Sequence, residues 1–207
     1  KKTDKTTEIK VSMLKDGFYH YSEGVVTLGE ETLSSYPEIN KAPITTSYSS
    51  FDIGSNLITE NEYAAFVEEN PKWALENKEE LIKEGLVDSN YLSGITLSTK
   101  SMRPIRSISY YCALEYCKWK SEKDGVLYSL PTLEEWTVAA LSASDKKYVT
   151  SLVYVENNSS TPTGLLGQLW EYTSTPYIPL SRLIDQEKVE SLSKLYDYDD
   201  IIVMGGS

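Results

Sequence analysis

Tyr128-Ser129-Leu130-Pro131-Thr132-Leu133-Glu134-Glu135-Trp136, with Ala139-Ala140 behind it, decides how this chain is read. Just after Pro131, Thr132 and Glu135 form a capping box. The Thr hydroxyl accepts from the third helical N–H, and the Glu carboxylate reaches back to the N–H of the cap. Trp136, Ala139 and Ala140 recur at helical spacing, so the sequence predicts a helix with an indole anchoring its buried face.

Upstream, Ser109 caps a predicted helix through Ala113, Tyr116, Cys117 and Lys120. Thr59-Glu60-Asn61-Glu62 is another capping box, ahead of Tyr63, Phe66 and Val67, and Pro71 ends or redirects that helix. Residues 72–87 read as a sparser helix with Leu75, Leu81, Ile82 and Leu86, placed as a surface insertion, and 88–101 read as loop. Phe18 to Tyr21, Val25 to Leu28, Ile44 to Tyr48 and Phe51 to Ile53 are β-branched or aromatic runs divided by Gly, Pro and Ser turns. Downstream, a strand is predicted over Tyr148 to Val155, a short amphipathic helix over 185–196 and a last strand over Ile201 to Met204.

At 207 residues, 40% hydrophobic and 25% charged, the composition is that of a globular domain with a core of its own. The expected layout is a flexible leader over 1–10 and a single domain over 11–207, with insertions near 72–100 and 174–200. The net charge of -11 is repelled by nucleic acid phosphates and anionic lipid, so no nucleic-acid partner is expected. The acidic residues are scattered, as on a solvated surface; the sharper reading is cation binding or a basic partner. No apolar stretch has membrane-spanning length. The polar start Lys1-Lys2-Thr3-Asp4-Lys5-Thr6-Thr7 is no signal peptide, and it suits a stub left after one is removed.

Cys112 and Cys117, five apart, would stand about 140° around a helix from each other, which forbids a bridge between them. The single His20 has no Cys or His cluster around it, so a zinc site is not expected and a packing role is. The 16 tyrosines suit either a binding surface or a loop-rich core.

Four blocks, in order, carry a family resemblance. The first is Phe51-Asp52-Ile53 with Leu57-Ile58-Thr59-Glu60-Asn61-Glu62-Tyr63-Ala64-Ala65-Phe66-Val67. The second is Arg103-Pro104-Ile105-Arg106-Ser107-Ile108-Ser109-Tyr110, then Ala113 and Tyr116-Cys117-Lys118-Trp119, then the stretch from Tyr128 to Ala140. The third is Gly164-Leu165-Leu166-Gly167-Gln168-Leu169-Trp170-Glu171-Tyr172-Thr173, and the last is Val203-Met204-Gly205-Gly206-Ser207. Together they resemble the formylglycine-generating enzyme (sulfatase-modifying factor) family. Gln168, Tyr172 and Ser129 depart from it, standing where Asn, Trp and Arg are usual.

The resemblance implies a compact mixed domain of the C-type-lectin-like kind, low in regular secondary structure. In the family's enzymes two cysteines just past Gly-Gly-Ser bind copper and oxidise a substrate cysteine. The sequence in hand stops at Ser207, so no copper is expected from its residues, and Cys112 and Cys117 read as core. The family's Gly-Asn-x-Trp-Glu segment wraps a calcium ion. By position this gives the carbonyls of Leu166, Gly167 and Leu169 and the carboxylate of Glu171 as calcium ligands; alternatively Glu171 caps backbone N–H groups of the same loop. Trp119, Trp136 and Trp170 fall at core positions, while Trp73 lies outside the blocks and is free to be exposed.

The function expected is a non-catalytic ligand-binding surface protein whose binding face is formed by the C-terminal region. It is similar to the retroelement-diversified variable proteins, among them a treponemal lipoprotein. Its ligand would be a protein or a cell surface, and it would be exported to the cell surface or periplasm, lipid-anchored through a removed N-terminal segment. The alternative is a copper-dependent formylglycine-generating oxidase whose catalytic cysteines lie beyond Ser207.

Overall fold

The computed structural model describes residues 9–14, 17–28, 44–143, 162–165, 167–177 and 201–206. Its strands are β1 (Val11–Met13), β2 (Phe18–Tyr21), β3 (Gly24–Leu28), β4 (Ile44–Tyr48), β5 (Phe51–Gly54), β6 (Trp170–Pro176) and β7 (Ile201–Gly205). Its helices are α1 (Glu60–Glu69), α2 (Lys78–Lys83), α3 (Tyr110–Asp124) and α4 (Leu133–Ala143). This is an α+β fold with small sheets and much irregular chain. The strand over 148–155 and the helix over 185–196 expected from the sequence, and most of the leader, lie outside the described residues.

The chain packs as two compact units. One is Lys1–Ser55 with Pro131–Ser207; the other is Asn56–Leu130. The first holds three antiparallel sheets, β1-β2-β5, β3-β4 and β6-β7. Their buried positions alternate as period-two patterning requires, so Tyr19 and Tyr21 of β2 and Val26 of β3 face inward. They pack with Tyr48, Leu165 and the α4 residues Trp136, Val138, Ala139 and Ala140. Tyr21 stacks on Phe51 at 4.9 Å, and its hydroxyl meets Ser142 Oγ at 2.6 Å. The capping box of α4 is present. Thr132 N–H donates to Glu135 Oε2 at 2.8 Å and Glu135 N–H donates to Thr132 Oγ1 at 3.2 Å.

The second unit is helical. Thr59 and Glu62 close the α1 capping box at 2.8 and 3.3 Å, and Ser109 Oγ accepts from Cys112 N–H at 3.2 Å to cap α3. Residues 72–87 differ from their expected form. They make two 3-10 turns, Pro71–Trp73 and Leu75–Asn77, and then the six-residue α2. Their apolar residues are also no surface decoration. Trp73, Leu81 and Val87 are buried with Tyr63, Phe66, Tyr91, Leu92, Ile95, Ile105, Cys112 and Tyr116. The segment is sparse in apolar residues because it is short turns rather than one long amphipathic helix. Trp73 stands in the first 3-10 turn, Leu81 in α2 and Val87 beyond it, so the buried residues follow no single helical interval.

This core has polar tips tied together inside it. Tyr91 Oη donates to the Trp73 carbonyl at 2.6 Å and meets Tyr63 Oη at 2.9 Å. Burial pushes the phenols of Tyr63, Tyr91 and Tyr116 well above their ordinary range. Tyr63 and Tyr91 act as neutral hydrogen-bonding groups, whereas Tyr116 Oη is buried with no hydrogen-bond partner among the described residues. Six of the sixteen tyrosines, Tyr19, Tyr21, Tyr48, Tyr63, Tyr91 and Tyr116, are core residues, which gives these a packing explanation. Tyr91→Phe removes one hydroxyl and leaves a buried carbonyl and a buried phenol short of a partner. It is expected to lower unfolding stability by about 1–3 kcal/mol in a denaturant titration, with an unchanged slope.

Candidate functional site

The β6–β7 ribbon organises the residues singled out from the sequence. Trp170 stands opposite Gly205, Glu171 opposite Met204, and Tyr172 opposite Val203; the register then shifts before Pro176 meets Ile201. Successive side chains of a strand point to opposite faces. One face therefore carries Glu171, Thr173 and Met204, with Met204 packed on the core that holds Trp136. The other carries Trp170, Tyr172 and Val203.

The inner face is pinned at several points. Thr173 is fully buried, and its Oγ1 donates to the Ile202 carbonyl at 2.8 Å. Leu133 N–H donates to Thr175 Oγ1 at 2.9 Å, and Ser174 N–H donates to the Pro131 carbonyl at 2.8 Å. The helix that opens with Pro131-Thr132 and the strand that opens with Trp170-Glu171 are thus fastened end to end.

Glu171 is the unusual member. Its Oε1 is buried with no hydrogen-bond partner, and so is the Trp136 indole Nε1. Burial pushes the Glu171 carboxyl up to about 7, and the neighbouring indole N–H offsets only part of that shift. Oε1 therefore does not cap backbone N–H groups of its own loop among the described residues.

Two glycines close the site. Gly205 has φ 83° and Gly206 φ 72°, a region that L side chains rarely adopt. A Cβ on Gly205 would lie 2.6 Å from the Leu169 carbonyl oxygen and 3.0 Å from that of Leu165. A Cβ on Gly206 would lie 2.3 Å from Trp170 Cε2. Gly206 N–H donates to the Leu169 carbonyl at 2.8 Å. The indole of Trp170 therefore rests on the bare backbone of Gly206, and its other side faces solvent, leaving the residue 66% exposed. This corrects the core role assigned to Trp170 from the sequence. The available signal was the pairing of a Trp-bearing strand with Gly-Gly, where a large ring can lie flat only on a residue without a side chain.

Of the four calcium-ligand candidates, the structure brings Gly167, Leu169 and Glu171 into one turn and strand, while Leu166 lies outside the described residues. Gly167 is buried with φ 78°. Among the described residues no group of three or more His, Cys, Asp and Glu side chains is gathered around a metal position, so any ion here would be held mainly by backbone carbonyls.

The remaining candidates fall elsewhere. Cys112 is buried in α3 with Sγ 3.1 Å from Ser109 Oγ. Cys117 is half-buried, and burial raises its thiol, the opposite of an activated nucleophile. His20 is not a packing residue. It is 40% exposed, and its Nδ1 meets Asp52 Oδ1 at 2.7 Å across β2 and β5. Trp73 is buried rather than exposed. No helix among the described residues is long and apolar enough to cross a membrane.

Residues 2–177 match the Sulfatase-modifying factor enzyme 1-like domain. The chain belongs to this family. The match covers the cores of both units and β6, and it stops before β7 and its Gly-Gly pair. A protein of Borreliella burgdorferi described as uncharacterized is 47% identical to this sulfatase-modifying-factor domain over 88 residues, which are 42% of this chain and 18% of that protein. The chain thus spans less than a fifth of that relative's length.

The buried carboxyl gives this domain a specific pH response. The folded state holds the Glu171 proton up to about pH 7, whereas an unfolded Glu loses it near 4.3. Between those values the folded state binds more protons, so stability falls as pH rises and levels off above about 7. With divalent ions chelated, the thermal midpoint should drop from pH 5 to pH 8 by the equivalent of about 1–3 kcal/mol. Glu171→Gln should flatten that part of the profile.

Proposed function

We propose that this domain is a non-catalytic ligand-binding protein on a C-type-lectin-like scaffold, with a binding face formed by its C-terminal ribbon. The observation that supports it most is the solvent-facing indole of Trp170, fixed on Gly206 rather than folded into the core. An exposed aromatic held in one pose loses little conformational freedom when a ligand covers it. Val203, 40% exposed, extends the apolar area on the same face. Cys112 is buried in the core of the other unit, and burial raises the thiol of Cys117, the opposite of an activated nucleophile. The ligand would be a protein or a cell surface, and the protein would be exported and lipid-anchored.

The rival activity is copper-dependent oxidation of a cysteine in a peptide substrate. A cysteine-containing peptide incubated with the 207-residue protein, Cu(I) and oxygen is expected to yield no formylglycine, as read by mass spectrometry after reduction of disulfides. Turnover to formylglycine would sink the binding-only reading.

A calcium ion belongs to the same proposal. Its ligands would be the carbonyls of Leu166, Gly167 and Leu169 and the Glu171 carboxylate. The buried, unpartnered Glu171 Oε1 supports it, because a hard cation prefers oxygen and its charge would hold the carboxylate ionised where burial alone protonates it. The Leu169 carbonyl already accepts from Gly206 N–H, so the ion would take its second lone pair. At pH 8, millimolar Ca²⁺ is expected to raise the thermal midpoint by several degrees in the wild type and not in Glu171→Gln. Equal midpoints with and without Ca²⁺ would remove the ion and leave the proton as the partner of Glu171.

A further inference from the structure

The four indoles of this chain fall into three environments. Trp73 has Lys72 Nζ 5.9 Å from its ring centroid, and Trp119 has Lys123 Nζ at 4.7 Å. Trp136 is buried beside Glu171. Trp170 is the most exposed of them, and among the described residues no cation and no other ring covers its outer face.

The unit that carries Trp170 is also strongly acidic. Lys1–Ser55 with Pro131–Ser207 contains eleven Lys and Arg against nineteen Asp and Glu, net -8, whereas Asn56–Leu130 has net -3. Among the described residues of the acidic unit, Lys10 is the sole Lys or Arg, against Glu23, Asp52, Glu134, Glu135 and Glu171. In the helical unit the half-buried Trp119 is served by the chain's own Lys123. In the acidic unit the described chain has no such lysine beside Trp170.

An indole face is the most favourable aromatic surface for a cation, and the net negative charge of the unit attracts basic groups to it. Seating the ring on Gly206 leaves one face committed and the other open at a fixed orientation. We propose that Trp170, seated on Gly206 at the outer face of the β6–β7 ribbon, receives a guanidinium or ammonium group from a basic segment of a protein partner. This rests on the binding reading given above and specifies the chemistry of the ligand. The neighbouring Val203 covers the aliphatic stem of the incoming Arg or Lys, which carries its charge on an apolar chain.

The test uses the full 207-residue chain, labelled with ¹⁵N, and follows its indole N–H resonances. Trp170→Phe identifies which of them belongs to Trp170. A soluble peptide of alternating Gly and Arg is titrated in parallel with its Gly and Gln counterpart and with chitohexaose. The Arg peptide is expected to shift the Trp170 resonance in a saturable way, at least roughly tenfold more tightly than the Gln peptide. Gly206→Ala, which unseats the ring, is expected to weaken that response while the other three indole resonances stay in place. Should that variant unfold, the comparison of Arg with Gln on the wild type still decides. Equal response to the Arg and Gln peptides overturns the cationic partner. Response to chitohexaose without response to the Arg peptide also overturns it, and leaves the binding face standing with a glycan ligand. No movement with any probe overturns the cationic partner and removes the main support for the face as well.

Discussion

The hydrogen bond from Gly206 N–H to the Leu169 carbonyl, and the bare backbone around it, governs the C-terminal ribbon. That bond closes at 2.8 Å because Gly205 and Gly206 both turn through the left-handed region. No other residue fits at either position: at 205 a Cβ would meet two carbonyl oxygens, and at 206 it would meet the Trp170 ring. Two adjacent residues without side chains thus do separate tasks. The first lets β7 end against the turn that holds Leu165 and Leu169; the second lets an indole lie flat. Every other feature of the site depends on the pairing so fixed, since the positions of Glu171 and Tyr172 follow from placing Trp170 opposite Gly205.

The starts of α1, α3 and α4 were legible in the sequence, because capping is a local interaction. Thr59 with Glu62, and Thr132 with Glu135, use residues three apart, and the same bonds appear in the structure. The strands Phe18–Tyr21 and Ile44–Tyr48 were legible for a similar reason, since β-branched and aromatic runs bounded by turn residues fit a half-buried pleated surface. Trp73 was not. Its burial comes from the 3-10 turn that Pro71 starts and from Tyr91, whose hydroxyl reaches the Trp73 carbonyl across eighteen positions of sequence. Local pattern carries no information about that contact.

At the site the division is similar. The turn and the carboxylate were found by family position, while their energetic state was not. A Glu in an otherwise apolar stretch reads the same whether its oxygen meets a backbone N–H or meets nothing. Only the packing of Trp136 from α4 against it reveals the unpartnered Oε1. Trp170 was misassigned because family position ranks a Trp as core, and the exposure of a strand residue depends on which face the register gives it.

That register links the two faces of the ribbon. Trp170 points out and Glu171 points in because they are consecutive, and a slip of one residue would exchange them, burying the indole and exposing the carboxylate. The slip is opposed on the inner face by Thr173, whose hydroxyl has its acceptor in the Ile202 carbonyl. At the end of the ribbon it is opposed by Gly205, the residue whose shape matches the carbonyls of Leu165 and Leu169. A change that relaxes the inner face, such as loss of the Glu171 proton without a cation to replace it, therefore acts on the same few backbone bonds that hold Trp170 in position. The charge state of one buried carboxyl and the presentation of one exposed ring are set by the same pairing of β6 with β7.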